Sequence, residues 1–289
     1  MIKLKGANFI ERAIDKNEVF IPEEFTEEQI MIKNMVEDFC IKEIHEPMAK
    51  RGRELYATDE ADRKEVEKLL EKSAGLGLCG IAIAERFGGM NLDFNTGLIF
   101  SEAIAAGFSF ATTIGAQTSI GSLPIVYYGT EEQKAKYLPG VANASIKAAY
   151  ALTEPSAGSD ANSGKSKAIL SGDGKHYILN GQKMWITNGG FAEIFIVFAK
   201  INEDKNLSAF IIEKAFGGVT IGAEEKKLGI KGSSTVQVFF NDCKVPVENL
   251  LSERGKGFKI ALNILNSGRI KLAAGTTGGS KFAITKSVK

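Results

Sequence analysis

Two short segments near the middle of the chain carry side chains suited to holding a flat aromatic ring with a polar edge. Trp185 and Thr187 are two residues apart, so on a β-strand an indole and a hydroxyl would face the same side. Upstream, Gly158 and Ser159 lie in a loop rich in small residues, where a missing Cβ permits close approach of the backbone and the serine offers a hydroxyl donor. Taken singly, Trp185 also fits a core position and residues 156–163 fit a solvated loop. Their joint order along one short stretch indicates a ligand site.

A second pair lies near the C-terminus. Asn266 and Arg269 are three residues apart, so on a helix they share a face and can address one ligand. Arg269 could equally pair with a carboxylate inside a helix bundle. Two internal carboxylates, Glu85 and Glu154, invite assignment as a catalytic base, but we interpret both as turn or hydrogen-bonding residues.

Composition excludes several classes of function. Basic and acidic side chains number 36 and 35, so the clustered basic surface that nucleic acids require is not indicated. The three cysteines lie far apart, and His45 and His176 have no partners at catalytic or metal-ligand spacing, so we predict no metal site and no disulfide framework. No apolar run is long enough to span a membrane, and the N-terminus lacks the features of a signal or transit peptide. We therefore predict a cytoplasmic protein without a transmembrane segment.

The first half of the chain has helical periodicity, in which apolar residues recur on one face and charges on the other. Two of the predicted helices begin with a threonine three residues before a glutamine, which is capping-box spacing. The predicted helices cover residues 26–45, residues 61–74, one or two buried helices in 94–120, and a short helix opened by Thr130 and Gln133.

From residue 148 to 250 the pattern changes to short β-type runs separated by glycine and polar turns, with no alternation of strands and helices. This pattern predicts an antiparallel barrel or sandwich. The runs are residues 148–152, 176–180, 194–199, 208–212 and 236–240. From Gly257 a helical pattern returns, and its expected buried stripe comprises Phe258, Ala261, Leu262, Leu265, Leu272 and Ala273.

These patterns predict an α+β fold: an N-terminal helical domain, a central antiparallel β-barrel or sandwich domain, and the start of a C-terminal helical domain that is cut short. The predicted divisions are an extension at 1–25, the helical domain at 26–146, the β domain at 147–251 and the first helix of the last domain at 252–289. Because the last helix has no stop signal, we interpret the chain as part of a longer protein. A shortened, non-catalytic relative is the alternative.

Several ordered segments resemble the signature segments of the acyl-CoA dehydrogenase family. The most specific are Tyr150–Ala161 and Asn180–Gly190, and the likeness extends over nearly the whole chain. Further matching segments are residues 225–231, 245–249 and 257–269. The segments 264–269 and 117–121 resemble the very-long-chain branch of the family.

The resemblance implies which residues contact ligands. In the family the matching positions bind FAD, and here they are Tyr150, Leu152, Thr153, Gly158, Ser159, Trp185, Ile186 and Thr187. It implies substrate contact for Ser159, Asn266 and Arg269. An isoalloxazine ring needs an aromatic or apolar face and donors along its rim. The resemblance implies that Trp185 and Thr187 supply these, and that Gly158 and Ser159 lie near the pyrophosphate.

The implied activity is FAD-dependent α,β-dehydrogenation of long-chain fatty acyl-CoA thioesters to trans-2-enoyl-CoA in fatty acid β-oxidation. The implied partners are the acyl-CoA substrate, an electron-transfer flavoprotein and, for the full-length protein, further copies in a homodimer or homotetramer. An acyl-CoA oxidase and a non-catalytic flavin-binding or oligomerising module are the alternatives.

The catalytic base is the feature of the family that has no match in this sequence. The family's base is usually a glutamate in a Phe/Tyr-Glu-Gly-Thr segment, and no such segment occurs here. We therefore assign no catalytic residue and expect the base beyond Lys289. We also expect the 289-residue chain alone to bind FAD weakly and to show no measurable acyl-CoA oxidation.

Overall fold

Helices form the first half of the described chain, a sheet follows, and one long helix comes last. The computed structural model describes residues 21–288, so most of the predicted extension at residues 1–25 lies outside the described part. The α-helices are α1 (Glu27–Phe39), α2 (Glu46–Arg51), α3 (Glu60–Gly75), α4 (Phe94–Ile104), α5 (Ser109–Thr118), α6 (Leu123–Tyr128), α7 (Glu131–Ala142) and α8 (Gly257–Val288).

The predicted helix signals are confirmed in the first half. Thr130 Oγ1 accepts the Gln133 amide at 3.2 Å while Gln133 Oε1 accepts the Thr130 amide at 3.1 Å. This reciprocal pair satisfies two of the N–H groups that a helix start leaves unpaired. The box predicted for the first helix forms in the same way. That helix continues through a π-helical segment, Cys40–His45, into α2.

The strands form one mixed, mostly antiparallel sheet. They are β1 (Ala148–Ala151), β2 (Lys167–Leu170), β3 (His176–Thr187), β4 (Ile194–Ile201), β5 (Leu207–Glu213), β6 (Val219–Ile221), β7 (Thr235–Pro246) and β8 (Leu250–Leu251). Along the sheet the order is β6-β7-β3-β2-β4-β5-β8, with β1 paired to β4. Among the described strands this path does not close, so the sheet is open and not a closed barrel.

Strand β4 connects the sheet to the helices. It pairs in parallel with β1 and β2 and antiparallel with β5. Its alternate residues enter two different cores: Ile196 and Phe198 pack with residues of the helical domain, whereas Phe195 and Val197 pack within the β domain. β4 is buried on both faces, and β1 pairs with it. The end of β1, which leads into the predicted ligand segment, therefore has a rigid support.

Helix α8 packs along α4, and here the sequence-based stripe was partly wrong. The buried positions are Gly257, Ile260, Ala261 and Ile264, whereas Leu262 is 39% and Leu272 67% exposed. The buried set has the helical spacing i, i+3, i+4, i+7, and Leu262 lies off that face. Further along, Gly278 meets α4 so closely that an added Cβ would lie 1.9 Å from the Glu102 carbonyl oxygen.

Candidate functional site

The two segments singled out from the sequence are joined by hydrogen bonds. The Met184 amide donates to the Thr153 carbonyl at 2.9 Å. Next to it, the Lys183 ammonium donates to the carbonyl oxygens of Leu152 at 3.2 Å and Phe198 at 2.6 Å. Strand β3 therefore holds the chain that leaves β1, and it does so at the residues predicted to line the ligand.

Lys183 also forms a buried ion pair that fixes the start of the loop after β1. Its Nζ lies 2.7 Å from Glu154 Oε1, and both side chains are almost fully buried. Glu154 additionally accepts the amides of Lys165 at 2.6 Å and Ser166 at 3.1 Å. Sequence reasoning missed Lys183, because nothing near it in the chain distinguishes it from an exposed strand lysine.

Neither internal carboxylate is placed to act as a base. Burial alone would raise the pKa of Glu154, but the Lys183 ammonium and two backbone amides outweigh it, so the pKa lies below its ordinary value. A carboxylate held charged in this way is a weak proton acceptor. Glu85 is exposed at the start of a short 3-10 turn, and its backbone carbonyl accepts a hydrogen bond from the Gly88 amide. The interpretation of both residues as turn or hydrogen-bonding groups agrees with these contacts.

Trp185 is presented to the outside of the sheet at a β-bulge. Between Lys183 and Ile186 the register with β7 shifts by one residue, and Trp185 adopts a φ of +61°. That conformation is unusual for a bulky residue, and its indole is 56% exposed. Ile186 is buried in the core, whereas Thr187 is half-buried. The bulge interrupts the regular alternation from which the sequence predicted a common face for the indole and the hydroxyl, so that common face stays a prediction.

Two of the remaining predicted cofactor residues, Gly158 and Ser159, are exposed, and a third, Tyr150, has a hydroxyl that bonds to no described residue. The Tyr150 ring packs on Phe198 at 5.0 Å between centroids, and its buried hydroxyl has no hydrogen-bond partner among the described residues. Gly158 and Ser159 are exposed, and a Cβ added at Gly158 would meet no atom within 4 Å. An unpaired buried hydroxyl, an exposed indole and an open glycine fit a flat ligand with a polar edge.

A cavity of about 500 Å³ is lined by one residue from each of the two predicted constellations, Thr187 and Arg269. It lies between α4, α5 and α8, and its walls are largely apolar or small side chains. Thr187 enters it from the end of β3 and Arg269 from α8. Arg269 Nη1 donates to Asn266 Oδ1 at 2.8 Å, which confirms that this pair shares a helix face. The hydroxyl predicted to approach the flavin and the arginine predicted to hold substrate thus line one space.

The other polar clusters do not form a second site of this kind. His45 Nε2 lies 2.8 Å from the Ala106 carbonyl and its ring packs against Phe108 and Phe282. The three cysteines are buried and unpaired. Among residues 21–288 no group of three or more His, Cys, Asp or Glu side chains could hold a metal ion. Within the same range no helix is long and apolar enough to cross a membrane.

Comparison with known proteins identifies the family. Residues 26–145 match the acyl-CoA dehydrogenase N-terminal domain and residues 149–243 the acyl-CoA dehydrogenase middle domain. A "Probable acyl-CoA dehydrogenase" of Bacillus subtilis is 46% identical over 97% of this chain and 46% of its own length. The mitochondrial very long-chain specific acyl-CoA dehydrogenase of Rattus norvegicus is 43% identical over 86% of this chain and 40% of its own length.

A solved structure agrees in fold. An acyl-CoA dehydrogenase from Bacillus anthracis, crystallised with FAD, superposes with a TM-score of 0.91 at 46% identity. The superposition covers 97% of this chain and 48% of that one. The chain belongs to the acyl-CoA dehydrogenase family, whose cofactor is FAD, as the sequence predicted. It spans less than half the length of these relatives.

Proposed function

We propose that the protein is an FAD-dependent acyl-CoA dehydrogenase that forms a 2,3-double bond in fatty acyl-CoA thioesters. When bound, FAD supplies the hydride acceptor for the β-carbon of the substrate. The protein's own residues bind and orient: the indole of Trp185 covers one side of the ring, Thr187 donates a hydroxyl to its edge, and Ser159 contacts the diphosphate.

Five further residues complete the cofactor site in this proposal. The backbone near Tyr150, Leu152 and Thr153 lines the ring, and the Tyr150 hydroxyl is available as a donor. Gly158 lets the chain approach the diphosphate, and Ile186 anchors the bulge from the core side. Lys183 and Glu154 position this backbone without contacting the ligand.

The observation that carries the proposal is the shared cavity. Thr187, at the proposed flavin edge, and Arg269, at the proposed CoA contact, line one largely apolar space between helices. A thioester must reach the flavin while its acyl chain is shielded from water, and an apolar groove that ends at Thr187 satisfies both needs. In this proposal Asn266 orients Arg269, and Arg269 and Ser159 contact the CoA part of the substrate.

Trp185 is the only tryptophan in the chain, so its fluorescence tests the cofactor site directly. We expect FAD, titrated to saturation, to quench this emission and to protect it from acrylamide, because the exposed indole becomes covered by the ring. Trp185→Phe provides the matched control, in which FAD binding is followed by flavin absorbance alone. Saturable FAD binding that leaves the emission of Trp185 unchanged would contradict the proposed stacking.

The finer parts of the function need a separate experiment. A long acyl chain is proposed from the identity with very-long-chain enzymes, and an electron-transfer flavoprotein is proposed as the acceptor. Anaerobic addition of palmitoyl-CoA to an FAD-loaded protein that includes the expected base, followed by either oxygen or an electron-transfer flavoprotein, distinguishes a dehydrogenase from an oxidase. Rapid reoxidation by oxygen alone would favour the oxidase. The homo-oligomeric state, the cytoplasmic location and the placement of the base stay predictions.

A further inference from the structure

Lys271 places an ammonium group inside the helical groove. It lies on α8 and lines the same cavity as Thr187. Its Cε would lie 3.7 Å from a Cβ at Gly97 on α4, and its Nζ lies 3.5 Å from the Thr118 carbonyl at the end of α5. Lys271 therefore reaches between the helices, in contrast to exposed lysines such as Lys259 on the same helix.

The described lining of the groove offers this ammonium group no carboxylate. The charged residues among its described lining are Arg269 and Lys271, both cationic. The nearest acidic side chain on α4, Glu102, is engaged with Lys281 at 2.6 Å. An ammonium group has three donors, and here a single carbonyl at 3.5 Å accepts from it. Burial without a counter-charge lowers the pKa of Lys271 to about 8, so the group is still mostly protonated at neutral pH.

A second donor lies beside it. The hydroxyl of Ser119, the residue after Thr118, lines the same cavity, is buried and has no hydrogen-bond partner among the described residues. An ammonium group with one distant acceptor and a hydroxyl with none among the described residues are costly in an apolar groove unless a ligand satisfies them. A plain alkyl chain in this groove would displace water from both groups without accepting a hydrogen bond from either.

Helix geometry separates the roles of the two cations. Each residue of an α-helix is rotated by roughly 100° about the helix axis relative to the one before it. Residues two apart are therefore related by a rotation of about 200° and do not point in the same direction. Arg269 is exposed and bonded to Asn266, whereas Lys271 points toward α4 and α5. Both residues line the cavity, but their charged groups leave α8 in different directions, so one ligand needs anionic groups in two places to engage both.

We infer that the acyl chain of the substrate carries a carboxylate at its far end, which binds Lys271 and Ser119. This inference rests on the proposed function and refines its substrate class from plain fatty acyl-CoA to ω-carboxyacyl-CoA. A charge-assisted contact from Lys271 and a hydroxyl contact from Ser119 satisfy the carboxylate in a groove that otherwise selects for apolar chain length.

Matched ligands that differ only at the far end isolate this contact. In the presence of saturating FAD, calorimetry compares adipoyl-, suberoyl- and sebacoyl-CoA with hexanoyl-, octanoyl- and decanoyl-CoA. The CoA part is common to each pair, so its phosphates cancel from the ratio of affinities. We expect at least one ω-carboxyl ligand to bind about tenfold or more tightly than its methyl-ended partner, on the scale of a charge-assisted hydrogen bond.

Variants assign the preference to Lys271. Lys271→Met is expected to remove it, Ser119→Ala to weaken it a few-fold, and Lys271→Arg, which keeps the charge, to retain part of it. Lys259→Met makes the same substitution on the exposed side of α8 and is expected to leave it unchanged. Thermal unfolding of each variant checks that the fold is kept.

The outcomes distinguish this inference from the proposed function. If methyl-ended acyl-CoA binds the FAD-loaded protein and no ω-carboxyl ligand is preferred, the inference is wrong and the function stands. If Lys271→Met weakens both members of a pair equally, the ammonium binds the CoA part and the inference is again wrong. If no acyl-CoA binds at all, both are wrong.

Discussion

Two partly or fully buried lysines near the candidate site have opposite surroundings. Lys183, on strand β3 of the sheet, donates to a carboxylate and to two carbonyl oxygens within 3.2 Å. Lys271, in the helical groove, has one carbonyl at 3.5 Å. The first region is satisfied by the protein itself, so it can hold a cofactor-binding backbone rigid before any ligand arrives. The second is left incomplete, which is the property expected of a surface that a ligand completes.

The largest expected effect comes from breaking the satisfied region. Lys183→Met should lower the free energy of unfolding by about 3–5 kcal/mol, because it leaves the buried Glu154 carboxylate without its counter-charge. Urea denaturation measures this effect. Lys167→Met, which breaks an exposed pair with Glu203, should cost less than about 1 kcal/mol. Equal stability of the two variants would mean that the buried pair does not hold the loop.

The same pair gives a smaller effect that depends on pH. The folded-state pKa of Glu154 lies below its ordinary value of 4.5, so its contribution to stability is present above that pH and is lost as pH falls through the folded-state pKa. We therefore expect the difference in unfolding free energy between the wild-type protein and Glu154→Gln to be largest at neutral pH and to shrink on acidification. A difference that grows as the pH falls would show that the carboxyl group is protonated in the folded protein.

The close approach of α8 to α4 provides the next test. Gly278→Ala should destabilise the protein by about 1–3 kcal/mol, because the new methyl group would overlap the Glu102 carbonyl. Gly279→Ala is the matched control: a Cβ there meets nothing within 4 Å, and alanine should stabilise the helix by up to about 1 kcal/mol. Thermal unfolding compares the two, and the same sign for both would refute the packing described.

The smallest expected effect on stability is at the exposed indole. Trp185→Ala should change the free energy of unfolding by about 1 kcal/mol or less, because more than half of the residue is exposed. Its affinity for FAD should nevertheless fall about two- to tenfold, the range expected for loss of one aromatic stacking contact. Equilibrium dialysis with FAD measures that change. A large loss of stability without a change in affinity would indicate that Trp185 stabilises the fold and does not contact FAD.

The sequence predicted what local patterns encode. Capping boxes, helical periodicity and turn residues located the main helices and the longer strands, but not the short strands β2, β6 and β8. The sheet departs from the expected antiparallel barrel or sandwich because it does not close and because β4 makes parallel pairs. The parallel pairs that β4 makes with β1 and β2 join segments far apart in the chain, and no local signal specifies them. The buried stripe of α8 was only partly predicted: Ala261 is buried and Phe258 and Leu265 pack against the core, whereas Leu262, Leu272 and Ala273 are exposed.

In the candidate site, too, the sequence predicted local segments but not the contacts between distant residues. The segments around Gly158 and Trp185 were recognisable, and the hydrogen bond between Met184 and Thr153 joins them. Neither lysine was identified in advance. A lysine in a polar strand and a lysine on a charged helix usually face solvent, and only the tertiary structure shows that Lys183 meets Glu154 and that Lys271 meets α4 and α5.

The contact at Gly278 limits how substitutions can change the dimensions of the groove. There the helix backbone of α8 rests on the main chain of α4, so the separation of the two helices is set without any side chain between them. Substitutions elsewhere on these helices can lengthen, shorten or change the polarity of the groove, but its width at that end is fixed. Related enzymes that keep this glycine can therefore acquire new chain preferences while the two helices stay in register.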